Sequence, residues 1–132
     1  MLSVLAFIIF PLKVMESYAE KLGATKAGYP FDRWRDYWQH DGPDAIAECN
    51  AVEQIFDQLI ASLITLGPDA PEPAKMQLFQ TAIEASNDHA DIIETGERED
   101  LCDLTWNITK ATGLNPADYG SGEGPASEWR EW

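Results

Sequence analysis

Seven carboxylates fall within sixteen residues of this chain: Asp88, Asp91, Glu94, Glu97, Glu99, Asp100 and Asp103. Arg98 is the one basic charge among them. Carboxylates gathered this way have three chemical uses. They can hold a divalent cation, act as general acid and base, or present negative charge to a cationic partner. On a helix, Glu84, Asp88 and Asp91 share one face, and Glu99 and Asp103 share another. Like charges four residues apart repel by a few tenths of a kcal/mol per pair. A stretch that carries this mild cost is a candidate binding surface for a basic protein.

The catalytic uses fit the spacing less well. Helical nucleotide pyrophosphatases hold magnesium with Glu-x-x-Glu and, some distance later, Glu-x-x-Asp. Here Glu94-x-x-Glu97 and Glu97-x-x-Asp100 overlap, with Gly96 expected to break the helix that would present them together. A phosphohydrolase with paired His-Asp ligands needs more histidine than His40 and His89 supply, and Asn87-Asp88-His89-Ala90-Asp91 reads as a solvated face. Cys102 lies between Asp100 and Asp103, which disfavour the thiolate that a nucleophile requires. No catalytic residue, metal ligand or cofactor is therefore assigned. A helical, metal-dependent nucleotide phosphohydrolase using Glu94, Glu97 and Asp100 remains the alternative to a binding protein, and a self-associating structural domain (a homodimer) is the third reading.

Composition sharpens the choice of partner. The chain has 132 residues, with 23 acidic against 9 basic side chains and a formal net charge of −14. Phosphate contacts need Lys and Arg, so nucleic acid is a poor partner, and so is an anionic membrane surface. A basic protein is favoured, because opposite fields steer encounter. Cys49 and Cys102 lack metal-ligand spacing and read as free buried thiols, which suits a reducing cytoplasm. The three glycines at 120, 122 and 124 follow no strand and lack the Lys-Ser or Lys-Thr of a phosphate loop.

The elements that must position these groups are helices. Cys49, Val52, Phe56, Leu59, Leu63 and Leu66 are spaced 3, 4, 3, 4, 3 and mark a central helix over about 44–66, with Pro43 before it and Gly67 after it. Phe31, Trp34 and Trp38 share a face of a shorter helix, with Arg33 and Arg35 between the rings and Tyr37 beside Trp34. A further helix is expected from about Pro73 to Glu94, and another from Thr95, as N-cap, to Gly113. Leu12, Met15 and Leu22 predict a helix that Gly23 ends. Residues 1–12 form an apolar run too short to cross a bilayer. It is expected as a buried first segment, with a cryptic secretory signal, and hence a periplasmic address, as the minority reading. Trp129 and Trp132 close a Gly-rich tail over about 115–132, expected to pack on the bundle.

The stretch 94–129 resembles the C-terminal half of a set of small uncharacterised bacterial helical proteins. Thr95, Arg98, Leu101, Cys102, Gly113, Leu114 and Trp129 stand at the places of their pattern, while Ser127-Glu128 replaces the Asn that precedes their final Trp. The resemblance implies an all-helical fold. In size and acidity such proteins are similar to immunity proteins encoded beside secreted bacterial toxins.

Together these readings predict one all-α domain over 1–132, an antiparallel bundle of four to five helices. They predict a cytoplasmic, acidic protein-binding module of the immunity or antitoxin type that occludes a basic toxin or effector. The expected contact residues are Asp88, Asp91, Glu94, Glu97, Glu99, Asp100 and Asp103, with Trp34 and Trp129 as aromatic anchors.

Overall fold

The structure, a computed structural model, describes residues 16–132. The apolar run at 1–12 lies outside the described residues. Ser17 caps the first helix, α1 (Tyr18–Ala24), its Oγ accepting the Glu20 N–H at 3.1 Å. A 3-10 turn leads to α2 (Phe31–Trp38). Gly42, at φ 95°, then turns the chain into α3 (Pro43–Leu66), where Pro43 takes a first-turn place that needs no N–H donor. Gly67, at φ 89°, stops α3 and returns its N–H to the Leu63 carbonyl. α4 (Glu72–Ser86), α5 (Thr95–Ala111) and a four-residue turn, α6 (Ala126–Trp129), complete the order. Among the described residues there is no strand, and the fold is all-α.

The central helix falls where its periodicity places it. Cys49, Val52, Phe56, Leu59 and Leu63 are buried. Fully burying each large apolar side chain contributes about 1.5–3 kcal/mol relative to leaving it in water. α4 returns antiparallel along α3, and α1 and α2 cross the same helix. Phe31 lies edge-on to both Tyr29 and Trp34, with centroids 4.9 and 5.2 Å away, and rests against Phe56 of α3. Leu66, last in the apolar stripe, is 39% exposed, because α3 ends there and Gly67 turns the chain away.

α4 is shorter than its pattern predicts. The expected helix to Glu94 ends at Ser86 and passes into a 3-10 segment, Asn87–Ile92, with His89 at φ −114°, ψ 23°. The reason is a contact remote in sequence. Asn87 Nδ2 donates to the Trp129 carbonyl at 3.0 Å, and its Oδ1 accepts the Glu131 N–H at 2.9 Å. Trp132 Nε1 adds a bond to Ser86 Oγ at 2.9 Å.

Two buried polar features are satisfied from within. Thr105 and Thr109 of α5 each donate to the carbonyl four residues back, at 2.7 Å, and Thr112 donates to that of Thr109. Lys75 of α4, 5% exposed, donates to the carbonyls of Pro68 (2.8 Å) and Thr112 (3.2 Å), with its Nζ 5.5 Å from the centre of the Tyr18 ring. Those carbonyls lie just past the C-termini of α3 and α5, where a cation suits both helix dipoles.

Candidate functional site

The acidic stretch is divided by the start of α5. Glu94, not Thr95, is the N-cap, and Glu97 Oε1 accepts the Glu94 backbone N–H at 3.1 Å, in the manner of a capping box. Thr95 and Gly96 form the first helical residues. A Glu at the third position satisfies an N–H that the helix leaves open and places its charge at the positive end of the dipole, which explains why Gly96 does not break the helix. One turn on, Asp100 Oδ2 accepts from Arg33 Nη1 and from Trp34 Nε1, both at 3.0 Å. Glu94, Glu97 and Asp100 thus serve the local fold: two start a helix and one ties α5 to α2.

This geometry corrects the role expected of Trp34. It is 1% exposed and belongs to the core, because its ring packs on Phe31 while Asp100 answers its one polar atom. It cannot anchor a partner without unfolding α2. Trp129 is half-buried and packs against the core. Among the described residues the exposed aromatic is Tyr37, at 61%, edge-on to Trp38 with centroids 5.2 Å apart. Its position off the stripe of Phe31, Trp34 and Trp38 was the available signal that it faces water.

The remaining four carboxylates, Asp88, Asp91, Glu99 and Asp103, are exposed. Asp88, Glu99 and Asp103 take part in none of the ion pairs among the described residues. Asp91 stands beside Glu48 of α3, which also meets His89 Nδ1 at 3.3 Å. Burial and the neighbouring Asp91 push the Glu48 carboxyl above its ordinary value, and His89 offsets part of this. Glu48 and His89 carry no shared sequence signal, since 41 positions separate them.

Arg33 and Arg35 are engaged locally. Arg35 bridges Asp32 at 2.6 Å and Glu53 at 2.7 Å, so the guanidinium groups of α2 serve carboxylates of this chain. Both thiols are free, Cys49 buried and Cys102 half-buried. Burial raises the Cys102 thiol above its usual range; Arg130 and Arg98 oppose this and Asp103 adds to it. A thiol in that state is a weak nucleophile. Among the described residues no group of three or more His, Cys, Asp or Glu side chains is arranged to hold a metal ion. No helix among them is long and apolar enough to cross a membrane. Comparison of the chain with family models, with curated proteins and with solved structures gave no match.

Proposed function

We propose that this protein is an acidic binding module that occludes a basic protein partner, in the manner of an immunity protein or antitoxin. The observation that carries the reading is the division of the acidic stretch. Asp88, Glu99 and Asp103 are exposed and take part in no ion pair among the described residues, while Arg33 and Arg35 of α2 are engaged by Asp100, Asp32 and Glu53. Charges left unpaired at the surface of a −14 chain are available to steer and hold Lys or Arg side chains. Tyr37 offers an amphipathic ring of the kind enriched at the energetic centre of interfaces, and Trp129 a partly covered one. Occlusion then needs no chemistry from the module.

The test is affinity capture from the native host at low and high salt, with the natural chain and with a variant carrying Asp88→Lys, Asp91→Lys, Glu99→Lys and Asp103→Lys. The reading expects one basic protein in stoichiometric yield, retained less at high salt and at least tenfold less by the variant, which keeps its helical circular dichroism. Equal capture by both chains overturns it.

A further inference from the structure

The outer face of α5 is not uniformly acidic. At 3.6 residues per turn, Glu99, Asp103, Trp106 and Lys110 fall within about 60° of one another around the helix. Glu99, Asp103 and Lys110 are exposed, and Trp106 is half-buried. The Trp106 ring rests in part on backbone: a Cβ at Gly124 would lie 3.1 Å from its Cε3. It also borders an open hollow of about 400 Å³, shared with Lys110, Leu114, Asn115 and Pro116. Lys110 lines the next hollow with Glu16 and Lys21, yet takes part in no ion pair among the described residues. Residues 1–15 contain no Asp or Glu that could supply one.

Acid, ring, base is an order that complements itself when reversed. Along the helix axis Trp106 stands about 4.5 Å from Asp103 and about 6 Å from Lys110, near the midpoint between opposite charges. We propose that this face of α5 receives a second copy of the chain, the two helices antiparallel. Each Asp103 then meets the other copy's Lys110, and the two Trp106 rings lie beside the two-fold axis. A surface that meets itself through the same residues is what a two-fold dimer requires, and a Trp ringed by polar contacts suits the centre of an interface. Two molecules of charge −14 repel at long range. At physiological ionic strength that repulsion is largely screened beyond about 8 Å, whereas charges in contact still interact. The dimer does not depend on a basic partner; the two compete for Asp103.

The experiment is sedimentation equilibrium of the full chain at physiological salt, from micromolar to millimolar concentration. The proposal expects a dimer whose dissociation constant rises roughly tenfold or more with Asp103→Lys and likewise with Lys110→Asp, since each sets like charges opposite one another. Asp103→Lys is the sharper of the two: it lowers the net charge, so general repulsion alone would make it tighten the dimer. Asp103→Lys combined with Lys110→Asp re-forms both pairs with their signs exchanged and should return the constant to within about threefold of the natural one. Circular dichroism checks that each variant keeps its helices, and Asp103→Asn with Lys110→Gln repeats the test without reversed charge should one misfold. A single-chain mass at every concentration, single reversals without effect, or a double reversal no tighter than the singles would each overturn the proposal.

Discussion

Asp100 and Asp103 are one turn apart on α5, carry the same carboxylate and belong to the same acidic run, yet they do different work. Asp100 accepts from Arg33 and from the indole of Trp34 and joins two helices 66 positions apart in sequence. Asp103 is exposed and takes part in no ion pair among the described residues. The difference arises in α2, whose Arg33 and Trp34 reach Asp100, while no ion pair or side-chain hydrogen bond among the described residues reaches Asp103. Charge density along a sequence therefore says that a surface is acidic; which of its members are spent on the fold depends on what crosses above them.

The comparison breaks most sharply at Trp34. Trp34→Ala opens a cavity in the core and orphans Asp100, and it should cost about 3–5 kcal/mol, read from urea unfolding. Trp34→Phe keeps most of the ring and isolates the hydrogen bond. We expect a loss of about 1–2 kcal/mol; a neutral result would mean that Asp100 holds Arg33 alone. On α5 itself, Asp100→Ala should cost about 1–2 kcal/mol, because a charge-assisted acceptor on two donors is lost. Asp103→Ala should stay within about 0.5 kcal/mol of the natural chain, as is usual for exposed positions. Equal losses at the two positions would erase the distinction drawn here.

A smaller effect concerns Glu48. Its carboxyl titrates above the ordinary value in the folded chain, through burial and then Asp91. The folded state therefore holds that proton more tightly than the unfolded state. Its contribution favours folding below the unfolded value of about 4.3 and is lost as pH rises through the folded one. Glu48→Gln removes that loss. At pH 7 the variant should melt about 1–2 °C higher, and its melting temperature should change less between pH 4 and 6. A lower melting temperature at pH 7 would show that the contact with His89 outweighs the proximity of Asp91.

Much of the architecture was legible because it is local. The repeat at Cys49, Val52, Phe56, Leu59 and Leu63, with Pro43 before and Gly67 after, specifies α3 without help from distant residues. The stop at Gly113 was legible for the same reason, since its φ of 90° suits glycine and few others. Some of the misread features depend on partners far along the chain, and one on a choice between neighbours. Trp34 has the composition of an interface anchor, and only its packing on Phe31 and its bond to Asp100 place it inside. Thr95 has the chemistry of an N-cap, but Glu94 with Glu97 takes that role, a choice between neighbours that spacing alone does not make. Of the candidate surface, the acidity was plain in the sequence. Its division into engaged and free members, and the exposure of Tyr37, required the fold.

The bond pair at Asn87 has a consequence in time. Its side-chain amide gives one hydrogen to the Trp129 carbonyl and takes one from the Glu131 backbone, as a peptide unit in a ladder would. The residues that close off α4 are thus synthesised some 42 positions after it. During translation α4 ends without its partner, and its final turn acquires a fixed boundary only when the tail emerges and docks. Maturation of this end of the bundle therefore waits on residues made well after the helix it completes.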